Sequence, residues 1–312
     1  MKDKKERTGM VSLIGKTNVG KSTLLNKLIE QKVSITSRKP QTTRQRLLGI
    51  KTKERNPIIY VDTPGFHRGH QRALNKFMNK VALSSIEGVD IVLFVVEALN
   101  FTETDSHLIK QISNENNQVI LVINKIDKIT KKEKLIPFVD EISKYFTFSE
   151  VIPISALKGK NIDILEKEIS ERLPFGNHLY PKDQIADTSE RFLASEIIRE
   201  KCITRVGDEV PYRLSVIIDG FKDEESLITI DGTIFVEKRS QKGIVIGEQG
   251  KRLKSIGTAA RKDLEKMLDS KVMLRLWVKV KKDWTNDQGA MNSMGYKTVS
   301  YTHLTLPTNR EV

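Results

Sequence analysis

Gly15-Lys16-Thr17-Asn18-Val19-Gly20-Lys21-Ser22 fits the spacing G-x-x-x-x-G-K-[ST] of a phosphate-cradling loop, and its flanks decide the fold. The apolar run from Met10 to Ile14 reads as a strand before it, and Ser22 to Ile29 as a helix after it. Strand, glycine loop and helix together let backbone N–H groups turn toward phosphate oxygens at a helix N-terminus. Lys21 is placed to reach the outer phosphates and the Ser22 hydroxyl to ligate Mg²⁺. Residues Gly15 to Ser22, with Thr23 in the first helical turn, form the candidate phosphate-binding set.

Outward from this loop, strand-like and helix-like segments alternate through residues 8–174. Further strands are expected at Arg46–Thr52, Pro57–Asp62, Ile91–Val96, Val119–Asn124 and Val151–Ile154. Helical patterns fall at Leu74–Leu83, Asp105–Gln111, Leu135–Tyr145 and Ile162–Leu173. That rhythm predicts an α/β domain with a mostly parallel sheet and helices on both faces. Functional loops of such sheets sit at the carboxyl ends of strands, where the remaining motifs also fall.

Asn124-Lys125-Ile126-Asp127 ends one of these strands. The Asp127 carboxylate offers two acceptors for the N1–H and 2-amino donors of guanine, which adenine lacks. The Lys125 stem can pack over the base, and the Asn124 amide can tie this loop to the phosphate loop. Asp62-Thr63-Pro64-Gly65 follows another strand: Asp62 can hold Mg²⁺ through water, and the Gly65 N–H can contact a γ-phosphate only while it exists. In Gln41-Thr42-Thr43-Arg44 a hydroxyl can complete Mg²⁺ coordination, and Thr43 is preferred over Thr42. Backbone amides at Ser155 and Ala156 are expected to contact guanine O6. Lys21, Thr43 and Gly65 are the candidate catalytic groups. In this order the motifs are similar to the G1 to G5 set of translation-factor-like GTPases, with GTP or GDP and Mg²⁺ as the implied ligands. The chain departs from the Ras pattern at Phe66, where glutamine would orient the attacking water; slow intrinsic hydrolysis is expected. In GTPases of this kind that lack the glutamine, an asparagine in the phosphate loop helps to bind K⁺, and the resemblance extends that role to Asn18.

The rhythm breaks after Pro174. Residues 177–190 read as a linker, giving domains at 1–176 and 191–296. The second domain is expected to hold a helix at Arg191–Ile203, strands at Arg213–Asp219, Leu227–Ile230 and Thr233–Lys238, a helix at Lys251–Leu268 split near Gly257, and a strand at Lys271–Val280. This is a small α+β unit. Its Gly247-Glu248-Gln249-Gly250, followed by Lys251 and Lys254, resembles the G-x-x-G loop of KH domains, type II by element order, which clamps a nucleic-acid backbone. From Lys238 to Lys282 there are 14 Lys or Arg against 4 Asp or Glu, so the basic charge concentrates around this loop. Glu248 departs from the pattern, whose middle pair often includes a basic residue.

The GTPase-then-KH order, together with Ser34-Ile35-Thr36-Ser37-Arg38-Lys39 through Arg44, Arg191 to Lys201 and Leu276-Trp277-Val278-Lys279-Val280-Lys281, resembles the Era family of ribosome-assembly GTPases over about residues 8–296. The resemblance implies binding of the 3′ end of 16S rRNA by Gly247, Glu248, Gln249, Gly250, Lys251 and Lys254, association with the 30S subunit, a monomer, and a cytoplasmic location with some peripheral attachment to the inner membrane.

Bulk properties agree with a polyanionic partner. The chain has 312 residues and a formal net charge of +13. A single cysteine, Cys202, excludes an internal disulfide, and the five histidines form no zinc-ligand pattern; His67 and His70 read as loop residues. Met1 to Arg7 is charged and no secretion signal is read there; Ile91–Val96 is too short to span a bilayer. Two other functions fit parts of the pattern. A GTPase of tRNA modification would need a further catalytic or cofactor domain, and none is read here. A nucleotide-binding scaffold on an acidic membrane would use the run Lys2-Asp3-Lys4-Lys5. Residues 297–312 resemble the conceptual translation of sequencing-adaptor DNA and are expected to be non-native or disordered.

Overall fold

β1 (Gly9–Ile14) runs through the middle of a six-stranded sheet, flanked by parallel neighbours on both sides. The computed structural model describes residues 7–37, 39, 42–53, 56–66, 72–112, 118–176, 189–207 and 210–296. Arg38, Gln41, His67, His70, His178, the run Lys2-Asp3-Lys4-Lys5, residues 177–188 and residues 297–312 lie outside them.

The sheet also contains β2 (Leu47–Lys53), β3 (Asn56–Asp62), β4 (Ile91–Glu97), β5 (Gln118–Asn124) and β6 (Glu150–Pro153), in the order β2-β3-β1-β4-β5-β6. Helices α1 (Lys21–Ile29), α2 (Ala73–Ser84), α3 (Glu103–Ile112), α4 (Leu135–Ser143) and α5 (Ile162–Arg172) connect or follow the strands. Strand periodicity explains the layers. Leu93 and Val95 face Leu24, Leu25 and Leu28 of α1 and Leu165 of α5. Val92, Phe94 and Val96 face Leu108 and Ile109 of α3 and Ile142 of α4. Both faces are thus covered, which is why β4 and β5 are almost wholly apolar. The only antiparallel pair among the described strands of this sheet is β2 with β3, as their short connection dictates.

The second sheet has the order β7-β8-β9, from β7 (Leu214–Glu224), β8 (Leu227–Val236) and β9 (Val272–Val280). It packs against α6 (Glu190–Arg205), α7 (Arg239–Ile246) and α8 (Lys251–Leu268) through Ile198, Cys202, Val245, Ile256 and Leu264. Burial pushes the Cys202 thiol up to about 12, so it stays protonated within the core. Among the described residues no helix is long and apolar enough to cross a membrane.

Several expectations need correction. The two strands expected on either side of Asp231-Gly232 are one strand, because β8 lies between two hydrogen-bonding partners that carry it through this turn-like dipeptide. Helix α8 is unbroken at Gly257. The expected linker runs two residues too far: Ser189 caps α6 by accepting from the Phe192 N–H at 3.3 Å, and the helix begins at Glu190. A final helix, α9 (Gln288–Ser293), was not foreseen. It brings Met291, Met294 and Tyr296, with Trp284, onto Leu74, Phe77 and Met78 of α2, so the two domains share an apolar seam. Burying Trp284 completely is itself worth about 3–5 kcal/mol on truncation.

Candidate nucleotide site and basic groove

Helix α1 starts without a side-chain cap and without an acidic residue in its first turn, so its leading N–H groups face the loop of residues 15–20. Lys21 is buried and donates to the carbonyls of Gly15 (2.9 Å) and Lys16 (3.0 Å). Burial lowers its ammonium to about 8, against the opposing pull of Asp62 and Asp105. A bound phosphate would add negative charge that favours the protonated ammonium. Lys16 itself is held away by Asp105, whose carboxylate lies 2.8 Å from Nζ.

Ser22, Thr43 and Asp62 meet beside this helix start. The Ser22 hydroxyl donates to Asp62 Oδ2 at 2.8 Å and lies 2.8 Å from the Thr43 hydroxyl, which is 3.3 Å from the same carboxylate oxygen. Thr42 is turned elsewhere, its hydroxyl donating to the Lys39 carbonyl at 2.7 Å. Asp62 is fully buried, and burial pushes its carboxyl above the usual range, offset in part by Lys21 and the hydroxyls. Its Oδ1 has no partner among the described residues. A buried carboxylate with one unmatched oxygen beside two hydroxyls is a donor set that suits Mg²⁺.

Ser34 completes the Asp62 cluster and was missed from sequence. Its buried hydroxyl donates to Asp62 Oδ2 at 2.8 Å, and its backbone is fixed by Asn26 of α1 through two bonds of 2.7 and 2.9 Å. The contact joins residues 28 apart, and a serine in a polar loop carries no signal for it. Ser34→Ala is expected to raise the Mg²⁺ concentration for half-maximal GTP hydrolysis several-fold, as a lost hydrogen bond to a charged group should. Unchanged metal dependence would mean that the hydroxyl only fills space.

Gly65 sits against the phosphate loop. A Cβ there would lie 2.4 Å from Thr17 Cγ2 and 2.6 Å from Thr17 Cα, so only glycine allows this approach. Thr63 is anchored by its hydroxyl to the Leu13 carbonyl at 2.7 Å, and the Phe66 N–H donates to the Gly15 carbonyl at 3.2 Å across Pro64 and Gly65. The Phe66 side chain is buried with Ile14, Ile86 and Phe94 under the sheet, away from the site. Asn18 stands at the loop tip, exposed and in the left-handed region at φ 62°.

At the neighbouring strand end, Asn124 Nδ2 donates to the Val19 carbonyl at 2.8 Å, while its Oδ1 accepts from Lys125 N and Ala156 N at 2.8 and 3.0 Å. This amide therefore joins three loops. Asp127 is exposed and accepts from the Ser155 hydroxyl at 2.5 Å. Lys125 pairs with Glu97 at 2.8 Å, a partner not foreseen. The amides of Ser155 and Ala156, expected to contact guanine O6, have partners within the protein: Ser155 N donates to the Lys160 carbonyl at 3.2 Å and Ala156 N to Asn124. A base oxygen would have to share the Ala156 donor.

In the second domain α8 and β9 frame a groove of about 400 Å³ lined by Gly250, Leu253, Lys254, Gly257, Arg261 and Leu276, with Thr258 and Leu274 beside them. Gly250 and Lys254 thus reach the groove, whereas Gly247, Glu248, Gln249 and Lys251 do not line it. The absence of a side chain at Gly257 leaves the floor open, which accounts for a mid-helix glycine that costs about 1 kcal/mol of helix propensity. Gly257, Thr258 and Arg261 were not foreseen, although their spacing from Gly250 and Lys254 traces one helical stripe.

Residues 10–125 match the family described as 50S ribosome-binding GTPase, and residues 209–285 that described as KH domain. The chain is 48% identical to GTPase Era of Ectopseudomonas mendocina (strain ymp) over 290 residues, 93% of this chain and 97% of that protein. It is 50% identical to GTPase Era of Glaesserella parasuis serovar 5 (strain SH0165) over 297 residues, 95% and 99% of the two chains. Among solved structures, it is similar to Era in complex with MgGDPNP and nucleotides 1506–1542 of 16S ribosomal RNA, with a TM-score of 0.91 and 42% identity over 94% of this chain and 100% of that one. An Aquifex aeolicus Era variant bound to GDP and AlF4⁻ gives 0.90 and 41% over the same shares.

Proposed function

This chain belongs to the Era family of GTPases, and from that premise we propose that it is a GTP-hydrolysing switch whose second domain holds the 3′ end of 16S rRNA during 30S subunit assembly. The observation that carries the reading is the meeting of Ser22, Thr43 and Asp62 beside the α1 N-terminus, with Asp127 on the adjoining loop. Gly15 to Thr23 cradle the phosphates, Lys21 balances their charge, and Asn124, Lys125 and Asp127 select guanine. Ser22 and Thr43 would ligate Mg²⁺, with Asp62 holding it through water, and the ion would supply charge that balances the phosphates. The Gly65 N–H senses the γ-phosphate, and Lys21, Thr43 and Gly65 act on the reacting group; the close approach of Gly65 to Thr17 supports this.

The basic groove receives single-stranded RNA: Gly250 lets a phosphate approach the α8 N-terminus, Lys254 and Arg261 pair with the backbone, and the apolar floor takes bases. Glu248 and Gln249 stand exposed at the loop, and Gly247 and Lys251 flank it. The protein acts as a monomer in the cytoplasm, with peripheral attachment to the inner membrane.

The test is equilibrium binding of GTP against ATP, followed by binding of an oligonucleotide copied from the 16S rRNA 3′ end with GTP analogue or GDP present. Guanine preference and nucleotide-dependent RNA affinity are expected. Preference for ATP, or no RNA binding in any nucleotide state, would overturn the reading.

Because Phe66 points into the core, no side chain at that position orients water. Asn18, exposed at the loop tip, would help to hold K⁺, which would supply positive charge beside the phosphates. GTP turnover is expected to be at least several-fold faster in K⁺ than in Na⁺ at equal ionic strength, and equal rates would remove K⁺ from the mechanism.

A further inference from the structure

The described part of the loop that carries Thr43 is bonded to the second domain as well as to the first. Five of its residues bond to the second domain. Lys32 pairs with Glu200 at 2.6 Å, and the Thr36 N–H donates to the other Glu200 oxygen at 3.0 Å. Lys39 Nζ donates to the Val206 carbonyl at 2.5 Å. The Thr42 carbonyl accepts from Arg199 Nη2, and Arg44 Nη1 donates to the Leu214 carbonyl at 2.7 Å. Arg199 and Glu200 are consecutive on α6, so one helical turn holds both ends of the loop.

Arg199 is built for this task. It is almost fully buried, and its guanidinium is fixed by Glu196, which accepts from Nε at 2.7 Å and from Nη2 at 2.5 Å. The Thr42 carbonyl belongs to the peptide bond that leads into Thr43. Holding that peptide sets where the Thr43 hydroxyl stands relative to Ser22 and Asp62. At the other end Glu200 bonds the Thr36 N–H, two residues beyond Ser34, whose backbone is also tied to Asn26 and whose hydroxyl reaches Asp62. Two hydroxyls on Asp62 therefore depend on where α6 sits.

We propose that Arg199 and Glu200 are positioning residues for the Mg²⁺ site: through the backbone of Thr42 and Thr36 they hold the Thr43 and Ser34 hydroxyls on Asp62, so that the seat of the second domain sets how tightly the metal is retained. The inference rests on the reading of Ser22, Thr43 and Asp62 as the metal site. It has a reciprocal consequence, since any partner that shifts α6 must change metal affinity by the same factor as metal changes affinity for that partner.

The test uses the full chain and reads binding rather than turnover. Affinity for a fluorescent GTP analogue is measured against Mg²⁺ concentration and again in EDTA, for the wild type, Arg199→Lys and Glu196→Gln, with thermal melting to verify folding. Lysine keeps the charge but cannot bond Glu196 and Thr42 in the same fork. The Mg²⁺ midpoint is expected to rise about tenfold in Arg199→Lys and less in Glu196→Gln, with affinity in EDTA unchanged. If Arg199→Lys does not fold, the rise in Glu196→Gln carries the test. A midpoint within twofold of wild type in the folded variants would overturn the positioning role, as would a parallel loss of affinity in EDTA. A wild type without Mg²⁺-dependent GTP binding would instead remove the metal site on which the inference stands.

Discussion

Asp127→Asn is expected to cost about 10²- to 10⁴-fold in GTP affinity while creating affinity for xanthosine triphosphate. On the proposed reading each guanine donor would meet a charged acceptor in the wild type, and two such bonds would contribute about 1.5–3 kcal/mol apiece. Asparagine offers one acceptor and one donor. Facing guanine, its amide N–H opposes the 2-amino group, leaving two donors nose to nose. Facing xanthine, the same N–H meets the 2-oxo group and the amide oxygen still accepts from N1–H. The local frame should survive the change. Ser155 donates its hydroxyl to Asp127 Oδ1 at 2.5 Å while accepting from the Lys158 N–H at 3.2 Å, and an amide oxygen can take that bond equally well. Asn124, which ties the loops, is untouched. Competition of GTP, XTP and ATP for one fluorescent nucleotide checks this. An unaltered base preference would take Asp127 out of base recognition.

The reach of the sequence differs between the two ends of the site. The phosphate loop is legible because its chemistry is local: six glycine, lysine and serine or asparagine positions act within one strand-to-helix turn. Asp62 ends an apolar strand and Asp127 lies three residues past the end of another, and strand ends in this fold share one edge, which makes both legible. Ser34 was not, because its bond to Asp62 needs the path of α1 and Asn26 to bring it there. Arg199 and Glu200 lie within the stretch Arg191 to Lys201, but nothing in a helical stretch shows that a loop 157 residues earlier lies against it. The amides of Ser155 and Ala156 show what strand-end logic leaves out. They sit where strand-end logic places donors, yet Lys160 and Asn124 claim them in the tightly wound loop that follows β6.

The second domain misled in two places for one reason. Asp231-Gly232 and Gly257 carry turn and breaker signals by composition, and tertiary context overrides both. In β8 the ladder on each side holds the dipeptide extended, and Asp231 pairs with Arg275 across the sheet at 2.5 Å. In α8 the flanking residues Ile256 and Ala260 bury against the core, which keeps the helix continuous through the glycine. The unexpected α9 has a related cause: six residues are too few for a periodicity signal, and its apolar side chains are explained only by α2 across the domain seam.

Gly250→Asp should lower affinity for the 16S-derived oligonucleotide by about 10²-fold at moderate salt without weakening the fold. Gly250 has a φ of +75°, and no atom lies within 4 Å of the position a Cβ would take. Aspartate is among the residues that adopt this left-handed conformation, at a cost of about 1–2 kcal/mol. It would also place a carboxylate at the uncapped start of α8, which returns about 0.5–1 kcal/mol through capping and the helix dipole. Melting temperature should therefore move little. For RNA the same carboxylate is a like charge at the mouth of the groove, beside Lys254 and Arg261, where it repels a phosphate and competes for both cations. The loss should shrink as salt rises, because the repulsion is exposed and screened. GTP affinity should stay at the wild-type value, since none of the groups that hold the nucleotide lies on α8. RNA binding equal to wild type would take the groove out of RNA recognition. A matched fall in GTP affinity would show that the change acts by unfolding and carries no information about the groove's ligand, which Gly250→Asn, equally tolerant of the left-handed backbone but uncharged, would then isolate.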